Sequence, residues 1–272
     1  MNLVKAELFK IRTTSLWWIL GLVLVPLYAA SILANWAAAA APTENTGAPA
    51  SRADQIRVAH EAINVATSIY TSGQFFGVLI VLLLGAMLVT NEFFHLTATA
   101  TFLVTPRRES VILAKFGAAV VGALVVWAFT TILNLIIGPF ILGALHLDSQ
   151  LGEPAVWRAI GLNALAFALW AVLGVGAGVL IRSQLAATLT LSIVYVVGTQ
   201  AVGLIFFLLT EYVAKWFQYL QVLMPTTASQ LMIAGTDLPG SPPRWVGAVV
   251  LIGYAVVTGL VGTSITKRRD IS

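Results

Sequence analysis

No charged residue occurs between Leu16 and Ala41. A helix over that stretch, at about 1.5 Å per residue, reaches across the ~30 Å hydrocarbon layer of a bilayer. Comparable apolar runs occupy residues 70–90, 116–145, 158–181, 185–210 and 245–266, each close to or above the ~20 residues that a spanning helix needs. The fold class expected is therefore an all-α integral membrane protein with six transmembrane helices, forming a single domain over residues 1–272. Composition agrees: 59% of residues are hydrophobic, 10% are charged and the mean hydropathy is +0.92, where soluble domains carry about 25% charge.

The N-terminus has some features of a secretory signal: Lys5, Lys10 and Arg12, an apolar run, then Ala39-Ala40-Ala41. Signal cores are only about 7 to 15 residues long, so an uncleaved first span is expected. Residues 1–15 place Val4, Leu8 and Ile11 on one helical stripe and Lys5 with Arg12 on another. This suits a short helix lying in the membrane interface, or a plain basic flank to the first span.

Between the spans the loops differ in character. Residues 42–69 are polar, with a helical stretch expected from Val58 to Ile69 and no evident chemistry. Gly73 and Gly77 in span two have the spacing that lets helix backbones approach. Gly138-Pro139 in span three predicts a kink or break. Gly174, Gly176 and Gly178 in span four read as a close-packing face, since no strand precedes them and no lysine follows. The short Arg182-Ser183-Gln184 turn makes spans four and five antiparallel neighbours. Residues 211–243 hold two apolar pieces around Pro225, each too short to span, and predict short interfacial or re-entrant helices.

Six spans put both termini on one side. Ten of the fifteen Lys and Arg residues, but only four of the eleven acids, fall in the segments on that side. Basic residues favour the cytoplasm, so both termini and the stretch 91–115 are expected there, and the loop 211–243 outside. The location expected is the bacterial plasma membrane, multi-pass. The +4 net charge is thus accounted for by topology, and no nucleic-acid partner is expected.

Several chemistries are disfavoured. Ion-driven transporters usually carry ionisable residues within their spans, and here Asp, Glu, Lys and His stay near the span ends. His60-Glu61 lacks the second histidine of a helical zinc site, and no intramembrane serine has an evident base. The chain has no cysteine, and no metal site or catalytic residue is expected. No phosphate-binding loop with Lys-Ser/Thr occurs, so energy for transport would have to enter from another subunit. No cofactor is expected in this chain.

The stretch Asn91 to Lys115 is the most informative interruption. On a helix, Phe93, Leu96, Ala100, Leu103 and Val104 share a stripe about 100° wide, as for a helix resting on other spans. Phe94 and Phe102 lie on the other side, flanking His95. Pro106 should end the helix, and Arg107, Arg108 and Lys115 bring positive charge to the bilayer surface. The second face either packs on the same chain or offers Phe94, His95 and Phe102 to a partner, since interfaces concentrate energy in aromatic anchors.

The order Asn91-Glu92-Phe93, Thr97-Ala98-Thr99, Leu103 to Pro106, Arg107-Arg108 and Leu113-Ala114-Lys115 resembles the cytoplasmic segment of type-2 ABC exporter permeases. Lys5-Ala6-Glu7-Leu8-Phe9-Lys10 is similar to their N-terminal interfacial helix. The six spans and the short helices before the last also resemble that family, so the likeness covers essentially the whole chain. Two positions depart from it: the family commonly has a basic residue at Phe94 and glycine at Leu96.

The resemblance implies a permease without ATPase activity of its own. It would pair with a second permease, identical or not, and with two copies of a cytoplasmic ATPase that binds ATP and Mg. A coupling helix at 92–105 would receive the ATPase through Glu92, Phe93, Phe94, His95, Thr97, Phe102, Arg107 and Arg108. A substrate path would involve Thr130, Asn134, Trp170, Thr199, Gln200 and Phe206, polar or aromatic residues inside spans three to five that equally suit interhelical packing. The cargo expected is a hydrophobic or amphipathic drug, peptide antibiotic or lipid. A secondary transporter and a non-transporting scaffold or immunity subunit are the alternatives.

Overall fold

Six helices of the computed structural model are long and apolar enough to cross a membrane: Leu16–Ala40, Ala62–Phe94, Glu109–Ala144, Pro154–Leu180, Gln184–Tyr212 and Arg244–Ile265. They are spans one to six of a multi-pass membrane protein. The structure describes residues 2–41, 50–95, 108–181, 183–237 and 240–268, and no strand occurs among them. An N-terminal helix, Asn2–Thr13, precedes span one. Span two is the hub, with 83% of its most apolar stretch buried inside the protein against 6% for span five. In a bilayer the exposed apolar faces are not in water, so packing depends on shape more than on hydrophobicity.

Shape complementarity is clearest between spans two and four. Gly174 lies against the Leu82 backbone, and a Cβ placed on Gly178 would fall 2.6 Å from the Ala86 carbonyl oxygen. From the other side, a Cβ on Gly85 would fall 2.9 Å from the Val175 nitrogen. Gly176, on another face of the helix, meets Thr258 of span six, where a Cβ would lie 2.9 Å from the side chain. The glycine face expected from the sequence thus serves two neighbours. Gly178→Val should cost about 1–3 kcal/mol by forcing the two backbones apart. The readout is the thermal midpoint of the purified protein, and an unshifted midpoint would contradict so close an approach.

Span two differs from the sequence expectation. Its first segment, Ala62–Tyr70, falls largely within the helical stretch expected in the loop, but it belongs to the span, and a second segment, Gln74–Phe94, follows a break. Gly73 stands at the break with φ +84°, and a Cβ there would lie 2.8 Å from the Tyr28 ring. It is therefore a turn residue and not part of a packing pair; Gly77 packs on the Phe167 ring, not on a backbone.

Backbone freed inside a membrane needs internal partners, and side chains supply them. Asn134 Nδ2 donates to Tyr70 O at 3.0 Å and Ser72 O at 2.9 Å, while its Oδ1 accepts from Tyr28 Oη at 2.8 Å. Asn35 Nδ2 donates to Ser68 O and to Ser72 Oγ. Asn134→Leu should cost about 1–3 kcal/mol through the unpaired carbonyls. Protease or hydrogen-exchange protection at residues 70–74 would report it, and unchanged protection would remove Asn134 as the stitch.

Span three begins at Arg108, earlier than expected, and its helix continues uninterrupted through Gly138-Pro139 to Ala144. The Tyr70 ring sits beside Gly138, where a Cβ would lie 2.7 Å from Cε1. Span five switches to π-helix over Val194–Gly198, which nothing in the sequence announces. There Tyr195 turns inward, donates to Phe75 O at 2.6 Å and meets Trp170 edge to face at 5.1 Å. The first half of span five packs chiefly on span two, so the short link after span four does not make those two spans close neighbours along their length.

Beyond span five, short helices at Phe217–Leu220 and Pro225–Ile233 flank a 3-10 turn at Gln221–Leu223. The second helix is built into the bundle. Ser229 Oγ accepts from Trp170 Nε1 at 2.7 Å, Thr226 meets Thr199 at 3.4 Å, and Tyr254 Oη donates to Leu223 O at 3.1 Å. These partners lie well inside spans four, five and six, so the helix runs alongside the spans and not past their ends. Arg158 and Arg244 both donate to Gly235 O at 2.7 Å, and Arg244 pairs with Asp237 at 2.8 Å. The loop is thereby anchored to the starts of spans four and six.

Candidate functional site

The N-terminal helix rests on the bundle through the stripe read from its sequence. Val4 packs at Gly117, where a Cβ would lie 3.3 Å from its methyl, and Leu8 and Ile11 join the main core. The same face carries Glu7, 4% exposed. An acid at such a site requires partners, because an isolated buried charge is very costly.

Four side chains form a closed ring. Glu7 Oε1 accepts from Lys10 Nζ at 2.7 Å, and Lys10 Nζ donates to Glu92 Oε1 at 2.7 Å. Lys115 Nζ lies 2.9 Å from Glu92 Oε1 and 2.9 Å from Glu7 Oε2. It also donates to Leu88 O at 2.9 Å, so its three donors have three acceptors. Two ammonium groups balance two carboxylates, and one hinge point joins the N-terminal helix, the end of span two and the start of span three. Burial alone would lower the Lys10 pKa, but hydrogen bonds to Glu7 and Glu92, and their charges, raise it above its ordinary 10.5. Its contribution is fully present below that value and is lost only as pH rises through the raised one. Lys10 thus stays charged at any physiological pH.

Immediately beyond the ring the chain presents aromatic surface. Glu92, Phe93 and Phe94 form the last turn of the span-two helix, and His95 caps it. Phe94 is 67% exposed and stands edge to face with the His95 ring at 5.0 Å. Phe9 of the N-terminal helix, next to Lys10, is exposed as well. Glu92, expected among the partner-facing residues, is buried within the ring. Thr97, Phe102 and Arg107, with most of the helix expected at 92–105, lie outside the described residues. Arg108 opens span three.

The residues expected along a substrate path do not converge. Thr130 bonds to carbonyls of its own helix, and Asn134 stitches the break. Trp170 and Thr199 both meet the Pro225–Ile233 helix. Gln200 is exposed and Phe206 half-buried on span five. The ring residues Glu7 and Lys10 escaped sequence reasoning as a site, although an acid three residues before a lysine on a basic amphipathic helix was a usable signal.

Comparison with protein-family models and with curated proteins finds no match.

Proposed function

We propose that this chain is the permease subunit of an ABC exporter of a hydrophobic or amphipathic compound, in the plasma membrane of a bacterium. It would pair with a second permease and draw its energy from two copies of a cytoplasmic ATPase that holds the ATP and Mg. The observation that carries this reading is the closed ion ring of Glu7, Lys10, Glu92 and Lys115 beside the exposed Phe94 turn. A push on that turn is not absorbed where it lands, because the ring ties it to the N-terminal helix and to span three. That is what a coupling element requires: a rigid link from a partner's motion to a shift between two packings of the spans.

Two further features support the reading. The basic bias puts the ring and Phe94 on the cytoplasmic side. Spans one and five keep long apolar faces exposed, which leaves surface for a second permease as well as for lipid.

The test is co-expression of the full chain with ABC-type ATPases of the same genome, followed by purification in nanodiscs. Stoichiometric ATPase with vanadate-sensitive turnover, stimulated by the permease, is expected. Transport that persists without ATP and follows a proton gradient would overturn the proposal in favour of a secondary transporter.

A further inference from the structure

A cavity of about 560 Å³ separates the second half of span one from the broken region of span two and the end of the Pro225–Ile233 helix. Its span-one wall runs from Ala30 to Ala39, roughly 14 Å of helix, in the half of the protein away from the N-terminal helix. The volume is that of sites which hold drug-sized molecules, about 300–1,000 Å³. None of the residues expected along a substrate path lines it.

The lining has a definite chemistry. Among the described residues, no Lys, Arg, Asp or Glu contributes to it. Its side-chain donors are largely spent on the protein's own groups: Asn35 Nδ2 on Ser68 and Ser72, and the hydroxyls of Thr67, Ser68 and Thr71 on carbonyls of their own segment. Acceptors remain. Asn35 and Gln74 use their amide nitrogens in the contacts they make, leaving the carbonyl oxygens. Ser31 and Gln230 add a hydroxyl and a further amide to the lining. Asn64 is held by Val58 O and Thr236 Oγ1, and most of the remaining wall is alanine, phenylalanine and aliphatic.

We propose that this cavity is a binding site for an uncharged amphipath whose head carries hydroxyl donors, with its apolar part along Ala30, Ala34 and Ala38. A lipid tail alone would displace water and leave the amide oxygens of Asn35 and Gln74 without donors, which costs free energy. With no charged side chain in the lining, an anionic head finds no cation there and a cationic head no counter-charge; Arg158 and Arg244 bind the Gly235 carbonyl without lining the cavity. Hydroxyl donors satisfy the site without either penalty. The inference goes beyond the exporter reading and stands without it.

The experiment uses the full chain in nanodiscs of dioleoylphosphatidylcholine, with a photoactivatable monogalactosyl diacylglycerol as probe. Cross-links are expected on residues 30–39, 59–76 and 230–235. Excess unlabelled galactolipid should cut them about fivefold or more, and excess phosphatidic acid less than about twofold. Ala34→Trp, which fills the cavity, should lower labelling about fivefold. Gln230→Trp does the same from the opposite wall and serves if the first variant folds poorly. Val25→Trp, on the exposed face of the same span, should leave labelling unchanged. Labelling that survives both cavity-filling variants, or that phosphatidic acid competes as well as galactolipid does, would overturn the proposal.

Discussion

Lys115→Met is expected to destabilise the protein by about 3–5 kcal/mol, the usual cost of removing one partner from a buried ion pair. Methionine fills nearly the same volume, so the loss is electrostatic. Glu7 Oε2 and the Leu88 carbonyl lose their donor, and Glu92 loses one of its two ammonium partners, keeping the half-exposed Lys10. Two buried carboxylates are then balanced by one ammonium. Adding Glu7→Gln to Lys115→Met restores charge balance, so the double variant should be more stable than Lys115→Met alone. Unfolding in mixed micelles by increasing SDS fraction measures both. If the double variant were the less stable of the two, the ring would not be the source of the effect.

The same lysine shows where sequence reasoning stops. A base at the edge of an apolar run reads as the membrane surface, so span three was expected to start after it. The helix in fact starts at Arg108, and Lys115 lies inside, 3% exposed. Its acceptors come from residues far away in sequence, which no local pattern reveals. The six spans were legible because each is a continuous apolar run, and the Gly174–Gly178 face because small residues at helical spacing suit only close approach.

The start of span two was not legible, for a related reason. Asn64, Thr67 and Ser68 make Ala62–Tyr70 read as a helix within a polar loop and not as part of a span. Yet Thr67 and Ser68 donate to carbonyls of their own segment, and Asn64 Nδ2 reaches Val58 O and Thr236 Oγ1. Polar side chains whose hydrogen bonds are met internally can sit inside a bundle. The cavity was invisible too, since Asn35, His60, Gln74 and Gln230 share no spacing and meet only in the fold. The residues proposed for coupling stand out in the sequence as an interruption, but only the structure separates Glu92, turned inward, from Phe94, turned out.

That separation yields the second large effect. Phe94→Ala combined with Phe102→Ala should weaken capture of the ATPase by about 2–4 kcal/mol, the range for paired aromatic anchors, or roughly thirty- to a thousandfold in affinity. Phe94 is exposed, so the protein without its partner should keep its stability. Glu92→Gln should behave in the opposite way. Its carboxylate touches Lys10 and Lys115, not the outside, so capture should stay near wild type while the link to span three loosens. ATP hydrolysis would then continue with less transport for each ATP consumed. Titrating the ATPase onto each variant in nanodiscs, with hydrolysis and transport followed in parallel, separates anchoring from transmission. Equal loss of capture in both variants would mean that the ring and the aromatic turn are not distinct parts, and unchanged capture in the phenylalanine pair would remove the docking assignment.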